Sequence, residues 1–78
     1  NPTLNIFLAL DATSAYRVWL EKEIEAQLAD QDAVRFVSRR ADSDLVVSNL
    51  DMAVSQPLIS INTTPNRRDW ATLKTFRL

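Results

Sequence analysis

The sequence predicts a small α/β domain: a mainly parallel sheet of four strands flanked by two to three helices. Three features of the chain lead there. Leu4–Leu10 is a near-continuous apolar run that passes through a polar turn, Asp11–Ser14, into a long stretch of helical periodicity ending at Leu28. A buried strand feeding such a helix is the first half of a βαβ unit. Two later runs, Leu45–Ser48 and Leu58–Ile61, are short, apolar and β-branched in the same way. Finally, 78 residues with 46% apolar content make one domain with one core, burying somewhat over ~60% of the unfolded surface.

The first strand, Leu4–Leu10, is the most apolar of the four, which suits a central strand covered on both faces. The helix after it is capped at Thr13 or Ser14. Tyr16, Leu20, Ile24 and Leu28 recur every fourth residue and, with Trp19 beside them, form its inward stripe. Arg17, Glu21, Lys22, Glu25 and Gln27 stay on the wet side, where Val18 interrupts them. Ala29–Asp32 ends the helix without the glycine that commonly does so.

Ala33–Ser38 reads as the second strand, Arg39–Ser43 as a charged connection and Leu45–Ser48 as the third strand. The second-to-third link has about half the length that parallel crossovers usually take. It therefore crosses as an extended segment, or the second strand pairs unusually at an edge. Asn49–Gln56 is a loop with one helical turn expected around Leu50–Ala53, and Pro57 introduces the fourth strand. After the turn Asn62–Pro65, Asn66 with Asp69 three residues on makes a capping box. It opens a last helix carrying Trp70, Leu73 and Phe76 inward and predicted to run to the end of the chain. The chain begins Asn-Pro without Met, so an excised domain of a longer protein is expected.

Absent residue types exclude much chemistry. Without Cys there is no thiolate nucleophile or zinc–thiolate site, and without His no imidazole base or histidine ligand. Without Gly there is no glycine-rich phosphate cradle. No cofactor or metal site is expected. A net charge of −1 leaves no field to hold a nucleic-acid backbone, and no apolar run approaches the ~20 residues of a membrane span. A cytoplasmic location is expected.

The strand Asn5–Leu10, the turn Asp11–Ser14, the segment Asp44–Asn49 and the run Pro57–Ile61 together resemble the IIB domains of the sugar phosphotransferase system. The closing helix Asn66–Phe76 resembles their last helix. The resemblance spans the whole chain and implies a four-stranded parallel sheet in the order 2-1-3-4. IIB-like domains also stand at the C-terminus of transcription regulators with phosphotransfer-regulated helical domains, including the Mga-type regulators. Where a working IIB domain carries its phosphorylated Cys or His, Asp11 stands here, so the resemblance implies a non-catalytic, regulatory or oligomerising member. Its partners would be further domains of the same chain and a second copy through the parent protein. Asp44–Asn49 also resembles the third strand of a response-regulator receiver. Asn49 then takes the place of the phosphorylated Asp, Asp11 that of an acidic neighbour, and Thr63 that of the switch hydroxyl. The receiver's fifth strand and its Lys have no counterpart.

Five groups of residues are site candidates. Asp11, Thr13 and Ser14 stand at a helix N-terminus, where free amides attract anions, although an ordinary cap is the favoured account and Asp11 opposes an anion. Arg39, Arg40, Arg67 and Arg68 follow the second and fourth strands, whose ends in a parallel sheet share an edge with the Asp11 turn. In the order 2-1-3-4 the two pairs stand on opposite sides, which favours solvated charge. Asp42, Asp44 and Asp51 offer carboxylates, but turn and capping roles account for them. Tyr16, Trp19 and Trp70 fit core positions, with a surface Trp marking an interface instead. Val18 and Lys22, on the outer edge of the first helix, are the candidate self-association contact.

Overall fold

The computed structural model describes residues 3–77. Four strands, β1 (Thr3–Ala9), β2 (Ala33–Phe36), β3 (Leu45–Ser48) and β4 (Leu58–Ser60), form one sheet in the order β2-β1-β3-β4. All three pairings are parallel. Helices α1 (Ser14–Leu28) and α2 (Arg67–Thr75) complete the fold, with a single 3-10 turn at Arg40–Asp42. The fold class, the parallel sheet and its order are thus those expected.

Register explains why the core lies where it does. Leu4 pairs with Val34, Ile6 with both Phe36 and Leu45, Leu8 with Val47, and Val47 with Ile59. Paired residues in a sheet share a face, so these apolar side chains make one continuous surface. Leu20, Ile24 and Leu28 of α1 and Leu73 of α2 are buried in the same cluster. Both helices therefore cover one face.

The opposite face is covered differently, and chain handedness gives the reason. β1 to β2 steps one way across the sheet, whereas β2 to β3 and β3 to β4 step the other way. Right-handed crossovers then put α1 on one face and both later connections on the other. Gln56 Nε2 donates to the Arg40 carbonyl at 2.8 Å, tying these two connections together. The short second-to-third link is therefore a true parallel crossover, compressed to a 3-10 turn instead of a helix.

Several expectations need correction. β1 is central, but Asn5, Phe7 and Ala9 are only half-buried, while all four residues of β3 are fully enclosed. It is β3 that is covered on both faces, because the 49–57 connection lies over its side of the sheet. β1 ends at Ala9, β2 at Phe36 and β4 at Ser60, each short of the expected boundary. No helical turn forms at Leu50–Ala53; the extra turn falls at Arg40–Asp42. There Ser43 N–H and Oγ both donate to the Arg40 carbonyl and close it. The last helix stops at Thr75, where Phe76 turns extended, and Leu78 lies outside the described residues. Trp19 is not a core residue: it is 44% exposed.

Turns form without left-handed backbone. The chain has no Gly, and among the described residues none has positive φ. Helix α1 ends with Gln31 and Asp32 N–H both donating to the Leu28 carbonyl at 3.0 Å. That shared acceptor does the work commonly given to a C-terminal glycine.

Candidate functional site

Parallel α/β sheets present ligand sites at the carboxyl ends of their strands. Here that edge is formed by Asp11 after β1, Asn49 after β3 and Thr63 after β4. The register sets its height, since Ala9 pairs with Ser48 and Ser48 with Ser60.

Asn49 organises the edge. Its Oδ1 accepts from the Asp11 N–H at 3.0 Å, and its Nδ2 donates to the Asp11 carbonyl at 3.4 Å. The side-chain amide thus gives Asp11 one acceptor and one donor, as another strand would, and extends the β1–β3 pairing past the end of the ladder. Nδ2 also donates to Thr63 Oγ1 at 3.2 Å, reaching across to the loop after β4. Ser48 is fully buried, and its hydroxyl is satisfied locally by accepting from the Leu50 N–H at 2.8 Å. That short-range pair folds the chain away from β3 and aims Asn49 along the edge.

Helix α1 is anchored to the same place. Thr13 is the cap, its Oγ1 accepting from Tyr16 N–H at 3.1 Å. The Tyr16 hydroxyl donates to the Thr63 carbonyl, and burial pushes that hydroxyl above its ordinary pKa, so it remains a donor at neutral pH. Arg17 Nη1 reaches back to the Leu8 carbonyl at 3.2 Å. Sequence reasoning placed Tyr16 in the core stripe and Arg17 in water. Their polar ends instead fasten the helix start to β1 and to the fourth-strand loop, contacts across 9 and 47 residues.

A second polar anchor lies where α2 begins. Asp69 is buried, and its Oδ2 accepts from Asn62 N–H at 3.1 Å, Asn62 Nδ2 at 3.0 Å and Asn66 N–H at 3.0 Å. Asn66 Oδ1 in turn accepts from Asp69 N–H at 2.9 Å, so the expected capping box is present. Burial pushes the Asp69 carboxyl up. The Asn66 and Asn62 donors and the Arg68 charge pull it down further, leaving it below the usual carboxylate range.

The other candidates separate. Asp42 pairs with Arg39 at 3.1 Å on the exposed 3-10 turn. Asp44 accepts from Asn5 N–H at 2.9 Å and Asn5 Nδ2 at 3.1 Å, fastening the start of β3 to β1. Asp51 is exposed. Among the described residues, no three acidic, His or Cys side chains come together as a metal-binding group.

The arginines do not converge. β2 and β4 are the two outer strands, roughly 14 Å apart at the usual strand spacing. β2's last pair is Phe36 with Ile6, whereas β3 runs on to Ser48 opposite Ala9, so the β2 ladder ends about 10 Å short of the Asp11 edge. Past it, the turn carrying Arg40 is tied to the segment before β4, Gln56 Nε2 donating to the Arg40 carbonyl. All four arginines are exposed.

No protein-family model matches the chain, and no curated protein is similar enough in sequence to count as a relative. Among the described residues, no helix is long and apolar enough to cross a membrane.

Proposed function

We propose that this domain is a non-enzymatic regulatory and pairing module, IIB-like in design, belonging to a cytoplasmic bacterial transcription regulator. The observation that carries the reading is the edge at Asn49. Where a IIB domain carries its open nucleophile, this chain has Asp11, whose backbone N–H and carbonyl are both engaged by the Asn49 side-chain amide, which also donates to Thr63. The chain also supplies no Cys or His to accept a phosphoryl group there. Such an edge holds three loops in one arrangement, which suits a module that transmits or pairs rather than reacts.

A specific observation favours a second reading, a degenerate receiver. The three residues matched to receiver positions, Asp11, Asn49 and Thr63, are joined in one hydrogen-bonded group. Intact-mass measurement after incubation with a phosphorylated IIA donor, or with acetyl phosphate and Mg²⁺, tests both. The regulatory reading expects no added phosphate on wild type or on Asn49→Asp. A phosphate on Asn49→Asp alone favours the receiver reading, and one on wild type at Asp11 or Asp51 overturns both.

A further inference from the structure

Helix α1 is apolar on two opposite sides. Leu20, Ile24 and Leu28 are fully buried against the sheet. At about 100° per residue, Ala15, Val18, Trp19, Lys22, Glu25, Ala26 and Ala29 fall within about 120° of arc on the side away from them. All seven are exposed. Five are apolar, and Val18 and Trp19 are 52% and 44% exposed. A surface helix ordinarily carries its charged residues on this arc. Trp19 is held in place there, its ring 5.7 Å from that of Tyr16, whose hydroxyl is tied to Thr63.

We infer that this arc pairs with the same arc of a second copy, the two α1 helices running antiparallel about a twofold axis between Lys22 and Glu25. The order of residues along the stripe selects this arrangement. In it, each residue faces the one whose number, added to its own, gives about 47, by the simple geometry of antiparallel neighbours. Lys22 of one copy then faces Glu25 of the other, and the pair occurs twice by symmetry. Val18 faces Ala29 and Trp19 lies across Ala26, so the bulky half of each stripe meets the small half of its partner. A parallel pairing would set Lys22 against Lys22 and Trp19 against Trp19, with neither complement.

The stripe is about 22 Å long and one helix wide, less than the ~800 Å² per partner of a stable complex. The dimer is therefore weak and concentration-dependent, and linkage through a parent protein would strengthen it. The inference deepens the pairing part of the proposed function and rests on it. Failure here leaves the absence of phosphorylation untouched, since intact mass reads that separately.

Sedimentation of this 78-residue chain across concentrations up to about 1 mM, a range suited to so small a patch, tests the inference. Wild type is expected to shift from monomer toward dimer, and Val18→Glu to remain monomeric. Lys22→Glu and Glu25→Lys each set like charges across the axis and are expected to weaken association at least severalfold. The double variant Lys22→Glu/Glu25→Lys restores opposite charges and is expected to recover it. All three positions are solvent-facing, and circular dichroism checks that each variant is folded. A monomeric wild type at the highest concentration, or a double variant no better than the singles, overturns the antiparallel pairing.

Discussion

Replacing Asp69 with alanine should cost about 2–3 kcal/mol of folding free energy. Three N–H donors converge on Asp69 Oδ2: two from Asn62 and one from Asn66. Hydrogen bonds to a charged acceptor contribute about 1.5–3 kcal/mol each when enclosed. Asn62 and Asn66 are exposed residues, so water replaces part of what is lost and about 1 kcal/mol per bond is the appropriate scale. For a domain of this length, ~1 kcal/mol moves Tm by about 6 °C, so Asp69→Ala should melt about 12–18 °C below wild type. Asp69→Asn keeps one acceptor oxygen and should lose about 1 kcal/mol. Urea unfolding followed by tryptophan fluorescence reads both. The pH dependence provides a further check. Because the folded-state carboxyl titrates below its unfolded value of about 3.9, its contribution is complete above that pH. It is lost as pH falls through the depressed folded value, where wild type and Asp69→Asn should converge. A loss under 0.5 kcal/mol for Asp69→Ala, on the ~1 kcal/mol scale of a single bond, would show that the anchor is solvated and that packing of Leu73 alone holds α2.

Two other expectations concern the sheet. Amide exchange should be slowest in Ile6–Leu8 and Val46–Ser48, the inner strands, and faster in Ala33–Phe36, an outer strand with alternate residues exposed; the reverse order would place β1 at an edge. Asn49→Ala should cost about 1–2 kcal/mol, since Asp11 and Thr63 lie near water and regain part of their bonding there. A neutral result in the same unfolding assay would mean that the carboxyl edge is not braced through Asn49.

Local residue patterns announced most of the fold. The apolar runs at Leu4–Leu10, Leu45–Ser48 and Leu58–Ile61, the four-residue spacing of Tyr16, Leu20, Ile24 and Leu28, and the Asn66–Asp69 box each carry their own signal. The candidate site was less legible. Asn49 bonds Asp11 across 38 residues and Asp44 bonds Asn5 across 39, and no short-range pattern encodes either contact. Trp19 falls outside the stripe it was set beside because, at about 100° per residue, it stands about 60° beyond Tyr16 and about 140° from Ile24. The sheet offers α1 only the width that Leu20, Ile24 and Leu28 fill. The helical turn expected at Leu50–Ala53 does not form, although Ser48 Oγ accepts from the Leu50 N–H as a helix cap would.

The backbone free of left-handed residues has a consequence for how this chain tolerates change. At most folds' turns, some positions admit only glycine, and substitution there reports backbone strain rather than contacts. Here no described residue stands in that region. An alanine scan of the described residues would therefore meet no left-handed backbone strain, and at Pro57 and Pro65 it would also loosen the unfolded chain. Drift in such a sequence is limited by volume and hydrogen bonding, not by torsion. Its loops can exchange residues provided that the side-chain anchors persist, among them Asp44, Asn49 and Asp69.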